Sequence, residues 1–285
     1  MSNSFVKQKD KLFFLHLPKT GGTTLGDIIE QEYGKQNTLT VDQQFHTVVK
    51  PPEISDEDRQ SIKVIKGHFC FGYHQFFDSS FSYFTLLRDP VKRVISDYNH
   101  IYRIPQHWLH HQVTSQNMSL EEYVSSGISK LSENGQTRFL SGMNTEINFS
   151  QCSKKHLELA KNNLERYFSV VGITERFDES LLLLQKRFGW SNDCFLYEKK
   201  RVNKSKKSNL SLSQETKKTL EEFNLLDIEL YEYARTIFEK QIREIDLEPK
   251  ISKQIKIRQN LYRIMANAKK VKTNYSKIIR NKIGV

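Results

Sequence analysis

"FFLHLPKTGGTTLGDII", residues 13–29, begins as an apolar run, breaks at Pro-Lys-Thr-Gly-Gly-Thr-Thr and resumes with apolar residues at helical spacing. "KLFFLHL" (11–17) has the length and composition of a buried strand, and Leu25, Ile28 and Ile29 fall at i, i+3 and i+4 on one helix face. A loop between strand and helix presents backbone N–H groups at the positive end of the helix dipole, which makes it an anion site. Gly21 and Gly22 let the backbone approach a ligand closely, while Lys19, Thr20, Thr23 and Thr24 supply a charge and hydroxyl donors. A phosphate or sulfate group suits that set. The loop is not the nucleoside triphosphate loop G-x-x-x-x-G-K-[ST], in which Lys follows the second glycine, because Lys19 precedes both glycines. Taken alone, "PKTGGTT" also describes a turn of small residues with a Thr cap.

A second candidate anion site follows another strand. "FSYFTLL" (81–87) is β-branched and aromatic, and "RDPVKRVISDYNHIY" then opens a helix with Asp89 at the N-cap and Pro90 at the first helical position. Val91, Val94, Ile95 and Tyr98 share one face of that helix. Arg88 falls at the carboxyl end of the strand, the edge at which open α/β sheets bind ligands. Ser96 lies two turns into the helix, away from its apolar face. An Arg fork and a hydroxyl so placed suit a second phosphate; an ordinary surface Arg and helical Ser would read the same way in isolation.

Further along, "IKVIKGHF" (62–69) is a third strand ending at His68. "YFSVVGITERFDESLLLLQKRFG" reads as a strand followed by a helix, and "CFLYE" (194–198) as the last strand of the sheet. Helices are expected over about 154–166 and, as one or two segments, over about 214–245, with Leu220, Phe223, Tyr231 and Phe238 inward. Residues 103–133, with three histidines and few aliphatics, read as a surface insertion. Strands alternating with helices predict an α/β fold, a P-loop-like three-layer sandwich with a mostly parallel central sheet and helices on both faces. The domain organisation expected is 1–249 for the folded body and 250–285 for a basic C-terminal extension.

The net charge of +11 bears on function only through its location. The segment 250–285 holds eleven Lys and Arg and no Asp or Glu, which leaves the rest of the chain neutral. A nucleic-acid partner is therefore not expected. The tail scatters Ile251, Ile255, Leu261, Ile264 and Met265 among its lysines, a pattern compatible with a basic amphipathic helix on an anionic membrane surface or an acidic glycan, or with a solvated extension, which is the preferred reading. Cys70, Cys152 and Cys194 lie far apart with no CxxC, indicating neither a zinc site nor a disulfide framework and favouring a reducing compartment. "MSNSFVKQKDK" is too polar for a signal-peptide core, and no stretch approaches 18 apolar residues, so a soluble, cytoplasmic protein is expected.

With these motifs in order, the chain resembles the carbohydrate sulfotransferases that use 3′-phosphoadenosine 5′-phosphosulfate, in particular the heparan and uronyl 2-O-sulfotransferase branch and its bacterial relatives. "LPKTGGTTL" resembles that family's 5′-phosphosulfate loop, "LLRDPVKRVISDY" its 3′-phosphate motif, "IKGHFCFG" the segment with its catalytic histidine, and "YFSVVGITERFDESL" a further typical segment. The resemblance implies His68 as general base, Lys19 as the group that offsets charge on the leaving nucleotide, and Lys19, Thr20, Gly21, Gly22, Thr23 and Thr24 as holders of the donor's 5′ end. It implies Arg88 and Ser96 as 3′-phosphate contacts. In the nucleotide-covering loop, Ser205 and Lys207 of "KKRVNKSKKS" (199–208) are implied as further donor contacts. The implied reaction is in-line transfer of a sulfuryl group to a hydroxyl of a carbohydrate or glycan, with no metal required. Two features depart from the pattern: the membrane anchor of the Golgi enzymes is missing here, and the tail after residue 250 has no counterpart.

Several residues keep two readings at this level. His68 could be a structural hydrogen-bonder at a strand end, and His16 is a weaker competitor expected to pack under the loop. His107, His110 and His111 fall at i, i+3 and i+4 and could face a metal on a helix, although a solvent-facing or acceptor-contacting cluster is the preferred reading. Arg138 of "NGQTRFLSG" (134–142) could contact donor or acceptor or form a structural ion pair. The competing functions are a P-loop-type small-molecule kinase, against which the Lys placement counts, and a non-catalytic module binding acidic polymers through the tail.

Overall fold

Lys11–Leu15 forms the first strand, β1, and its two phenylalanines define the layers of the fold. Phe13 stacks on Tyr83 with 5.1 Å between ring centroids, and Phe14 stacks on Phe84 at 5.2 Å. Successive strand side chains point to opposite faces, so both faces of this sheet are apolar and each needs cover. The computed structural model describes residues 11–41, 55–143, 147–197 and 212–245. In it β1 is the centre of a five-stranded sheet with β2 (Thr38–Val41), β3 (Val64–Gly67), β4 (Phe81–Leu87) and β5 (Phe168–Ile173), in the order β2-β3-β1-β4-β5. Every pairing is parallel, with Phe13 opposite Ile65 of β3 and Tyr83 of β4.

The helices are α1 (Gly22–Tyr33), α2 (Asp56–Ser61), α3 (Pro90–Arg103), α4 (His110–Ser115), α5 (Leu120–Ser125), α6 (Gly135–Ser141), α7 (Lys154–Tyr167), α8 (Phe177–Phe188), α9 (Gln214–Glu222) and α10 (Leu225–Glu244). The expected start of α3 is borne out: Asp89 Oδ1 accepts from the Lys92 N–H at 2.8 Å, with Pro90 at the first position. Leu25, Ile28 and Ile29 of α1 are buried in the core, as their spacing predicts. The open edge of β5 is closed by one side chain. Gln241 of α10 accepts from the Val171 N–H at 3.1 Å and donates to the Ser169 carbonyl at 3.2 Å.

Two readings of the sheet change. "CFLYE" is not the last strand: Asn192–Phe195 is a 3-10 turn, with Cys194 and Phe195 buried against the core, and Glu198 lies outside the described residues. The missing strand is instead β2, four residues of which only Val41 is buried, too short and polar to stand out. The segment 103–133 carries its own apolar cluster. Leu109, Val113, Met118, Tyr123 and Val124 pack with Val94 and Ile101 of α3 and Leu220 of α9. The chain between β4 and β5 is thereby fixed beside the carboxyl edge of the sheet.

Candidate active site

The loop from His16 to Gly21 joins β1 to α1, and its backbone is held by Arg88 and Thr174. Gly21 is the helix N-cap in the left-handed region (φ 86°), and as a glycine it places no side-chain oxygen on the first-turn N–H groups. Gly22 allows the closest approach, since a Cβ there would lie 2.0 Å from two atoms of the His16 ring. Lys19 also has positive φ (68°), a strained conformation that costs of order 1 kcal/mol and persists only where neighbours impose it. The neighbours are visible: Arg88 Nη1 donates to the Lys19 carbonyl at 2.8 Å, and the Thr174 hydroxyl reaches the Thr20 carbonyl at 2.7 Å and the Leu87 carbonyl at 3.0 Å.

His68 follows Gly67 at the end of β3, where its backbone N–H donates to the Val41 carbonyl at 3.2 Å. Its Nδ1 lies 2.7 Å from the His16 carbonyl. A carbonyl oxygen can only accept, so the hydrogen-bond network assigns the proton to Nδ1 and leaves Nε2 as the acceptor of the neutral ring. The ring stacks on that of His16 at 4.1 Å, which in turn stacks on Phe14 at 5.4 Å. His16 does pack against the loop, and it carries His68 with it.

Arg88 leaves the sheet just after β4. Its main chain is held by Gln136, its Nη1 by the Lys19 carbonyl, and its Nε lies 4.0 Å from Glu175 Oε1. Burial lowers the guanidinium pKa and the Glu175 carboxylate opposes that shift. Lys92, Ser96, Asn99 and Arg103 form one polar stripe along α3 at i, i+4, i+7 and i+11, facing the same space.

A single cleft of about 910 Å3 is lined by Lys19, Gly21, Gly22, Thr23, Thr24, His68, Arg88 and Ser96, so most of the sequence-derived set converges. Thr20 is the exception. Its side chain is fully buried and its hydroxyl donates to the Leu17 carbonyl at 2.8 Å, so it shapes the loop from within. Ser205 and Lys207, like the tail after residue 250, lie outside the described residues. Sequence reasoning did not single out Lys92, Asn99 and Arg103, although their helical spacing from Ser96 carried the signal. Trp108, 55% exposed, and His107 also line the cleft, and burial lowers the His107 pKa so that its ring favours the neutral form.

Two further alternatives narrow. Arg138 is fully buried and paired with Glu133, and it also donates to the Glu133, Ile147 and Asn148 carbonyls, which is the ion-pair reading. His107, His110 and His111 do not share a helix face, because α4 begins at His110, whose Nδ1 faces the Ile101 carbonyl at 2.8 Å. Among the described residues no group of three His, Cys, Asp or Glu side chains is placed to hold a metal ion.

A parallel sheet whose central strand runs into a glycine-containing loop, with a histidine from one neighbouring strand and an arginine from the other, defines an α/β protein of P-loop-like fold. Comparison with known proteins gives the family: residues 4–283 match the galactose-3-O-sulfotransferase family, and the chain belongs to it. Among curated relatives it is 26% identical over 285 residues to heparan-sulfate 6-O-sulfotransferase 3 of Mus musculus, covering 83% of this chain and 59% of the relative. It is 28% identical over 281 residues to heparan-sulfate 6-O-sulfotransferase 2 of Gallus gallus, covering 82% and 68%. The chain thus spans about three fifths of the first of these relatives. The carbohydrate sulfotransferase resemblance is borne out, while the 2-O branch is not confirmed, since these relatives are 6-O-sulfotransferases.

The cytoplasmic expectation is corrected. It rests on the polar N-terminus and the lack of an 18-residue apolar stretch, whereas the relatives are heparan-sulfate sulfotransferases of which this chain spans only part, so neither feature fixes a compartment. No helix among the described residues is long and apolar enough to cross a membrane, and that fact places the chain in no compartment.

Proposed function

We infer that the protein transfers a sulfuryl group from 3′-phosphoadenosine 5′-phosphosulfate to a hydroxyl of a carbohydrate acceptor. The observation that carries this reading is the assigned tautomer of His68 beside the Lys19–Thr24 loop in one cleft. The residues fit a nucleotide with two anionic groups: a helix N-terminus with a glycine cap and Lys19 for one, Arg88 and Ser96 for the other, all lining one cleft. The donor supplies an activated sulfuryl group when bound. His68 Nε2 takes the proton of the attacking hydroxyl, a contribution of about 10²–10⁴-fold in such reactions. The loop N–H groups and Lys19 hold the anionic oxygens and offset charge on the departing phosphate. Lys92 and Arg103 add positive charge to the cleft lining and favour an anionic glycan, in keeping with relatives named for heparan sulfate.

Calorimetric titration with 3′-phosphoadenosine 5′-phosphate in the absence of magnesium, beside ATP and beside Arg88→Ala, tests the reading. Micromolar binding that exceeds that of ATP and weakens in the variant is expected. Binding of magnesium-ATP alone would overturn it in favour of a kinase.

A further inference from the structure

We propose that Gln136 is a positioning residue for recognition of the donor's 3′-phosphate, acting through the main chain of Arg88; the proposal rests on the donor reading above. Gln136 is 1% exposed, on α6, and its side-chain amide makes two opposed hydrogen bonds to one residue. Oε1 accepts from the Arg88 N–H at 2.9 Å, and Nε2 donates to the Arg88 carbonyl at 2.9 Å. Arg88 sits between the last residue of β4, Leu87, and the N-cap of α3, Asp89. Neither the sheet ladder nor the helix pairs its main chain there, and the amide replaces the missing strand neighbour by one residue.

The direction in which Arg88 leaves the sheet is therefore fixed by a side chain from a segment distant in sequence. Gln136 is itself anchored, because its backbone N–H donates to Asp227 Oδ2 at 3.0 Å. A neutral amide performs this without adding charge that would compete for the guanidinium. "NGQTRFLSG" thus acts on the site through Gln136, not through Arg138.

The discriminating experiment compares wild type, Gln136→Met and Gln136→Glu by calorimetry with 3′-phosphoadenosine 5′-phosphate and with adenosine 5′-phosphate, which lacks the 3′ group. Loss of both hydrogen bonds in Gln136→Met is expected to weaken the bisphosphate about tenfold and the monophosphate less than about twofold. Gln136→Glu keeps the acceptor but sets a buried carboxylate against the Arg88 carbonyl and lets it compete for the guanidinium, so it should weaken the bisphosphate at least as much as Gln136→Met. Monophosphate binding doubles as the check that each variant is folded. Equal weakening of both nucleotides, or an unchanged ratio, would overturn the proposal by showing a merely structural role or none. A wild-type protein that fails to distinguish the two nucleotides would instead overturn the donor reading itself, and the role of Gln136 with it.

Discussion

Asn134 and Asp227 cap each other's helices. Asn134 Oδ1 accepts from the Leu226 and Asp227 N–H groups at the start of α10, at 3.0 and 3.1 Å. The Asp227 carboxylate accepts from the Gln136 and Thr137 N–H groups at the start of α6, at 3.0 and 2.7 Å, and from the Thr137 hydroxyl at 2.8 Å. Asp227 also lies 3.9 Å from Arg93 Nε, with both side chains buried. Asp227→Ala would strip α6 of its cap and leave the Arg93 charge without a counter-ion, so a loss of about 3–5 kcal/mol is expected. Urea denaturation measures it, and a variant within about 1 kcal/mol of wild type would refute the account.

His68→Ala separates chemistry from binding. Because the Arg88 and loop contacts stay in place, the affinity for 3′-phosphoadenosine 5′-phosphate should change less than about twofold, while the proposed sulfuryl transfer to a carbohydrate acceptor falls about 10²–10⁴-fold. A parallel loss of nucleotide affinity would mean that His68 holds the donor and that another group takes the proton.

The strands β1, β3, β4 and β5 and the convergence of Arg88, Ser96, His68 and the loop were legible because each rests on local pattern: an apolar run, a cap, a glycine pair. What the sequence concealed depends on partners far along the chain. Thr20 resembles its neighbours in composition, and only the Leu17 carbonyl beneath it turns its hydroxyl inward. Gln136 and Arg138 are two residues apart in one motif, yet one grips Arg88 and the other Glu133, 48 and 5 residues away. "CFLYE" has strand composition, but its first two residues are spent in a 3-10 turn covering the core. Periodicity cannot distinguish such a cover from a sheet member.

Burial also makes the fold sensitive to alkali. It pushes the Tyr33 and Tyr73 phenols up to about 12, and the Cys152 and Cys194 thiols up to about 12, by disfavouring their anions. Since the folded values lie above the unfolded ones, the unfolded chain releases these protons first. The associated stability is complete below about pH 9 and is lost as pH rises through about 12. The urea midpoint should decline between pH 9 and 11, and part of the tyrosinate absorbance should emerge only near pH 12. A flat midpoint with every tyrosine titrating near 10 would contradict this.

Gly22 and His16 should show strong coupling. An alanine Cβ at position 22 would meet His16 Cδ2 and Nε2 at 2.0 Å, and the His16 ring cannot simply yield, being stacked between Phe14 and His68. Gly22→Ala should therefore cost about 1–3 kcal/mol and disturb His68 together with the loop. His16→Ala removes the obstacle but leaves the position 16 carbonyl, so His68 Nδ1 keeps its acceptor. In the His16→Ala background Gly22→Ala should cost less than about 0.5 kcal/mol, and the cycle should show a coupling of about 1 kcal/mol or more. Additive losses would mean that Gly22 is needed for loop conformation alone, and that the spacing between His68 and the loop is set by something other than the His16 ring.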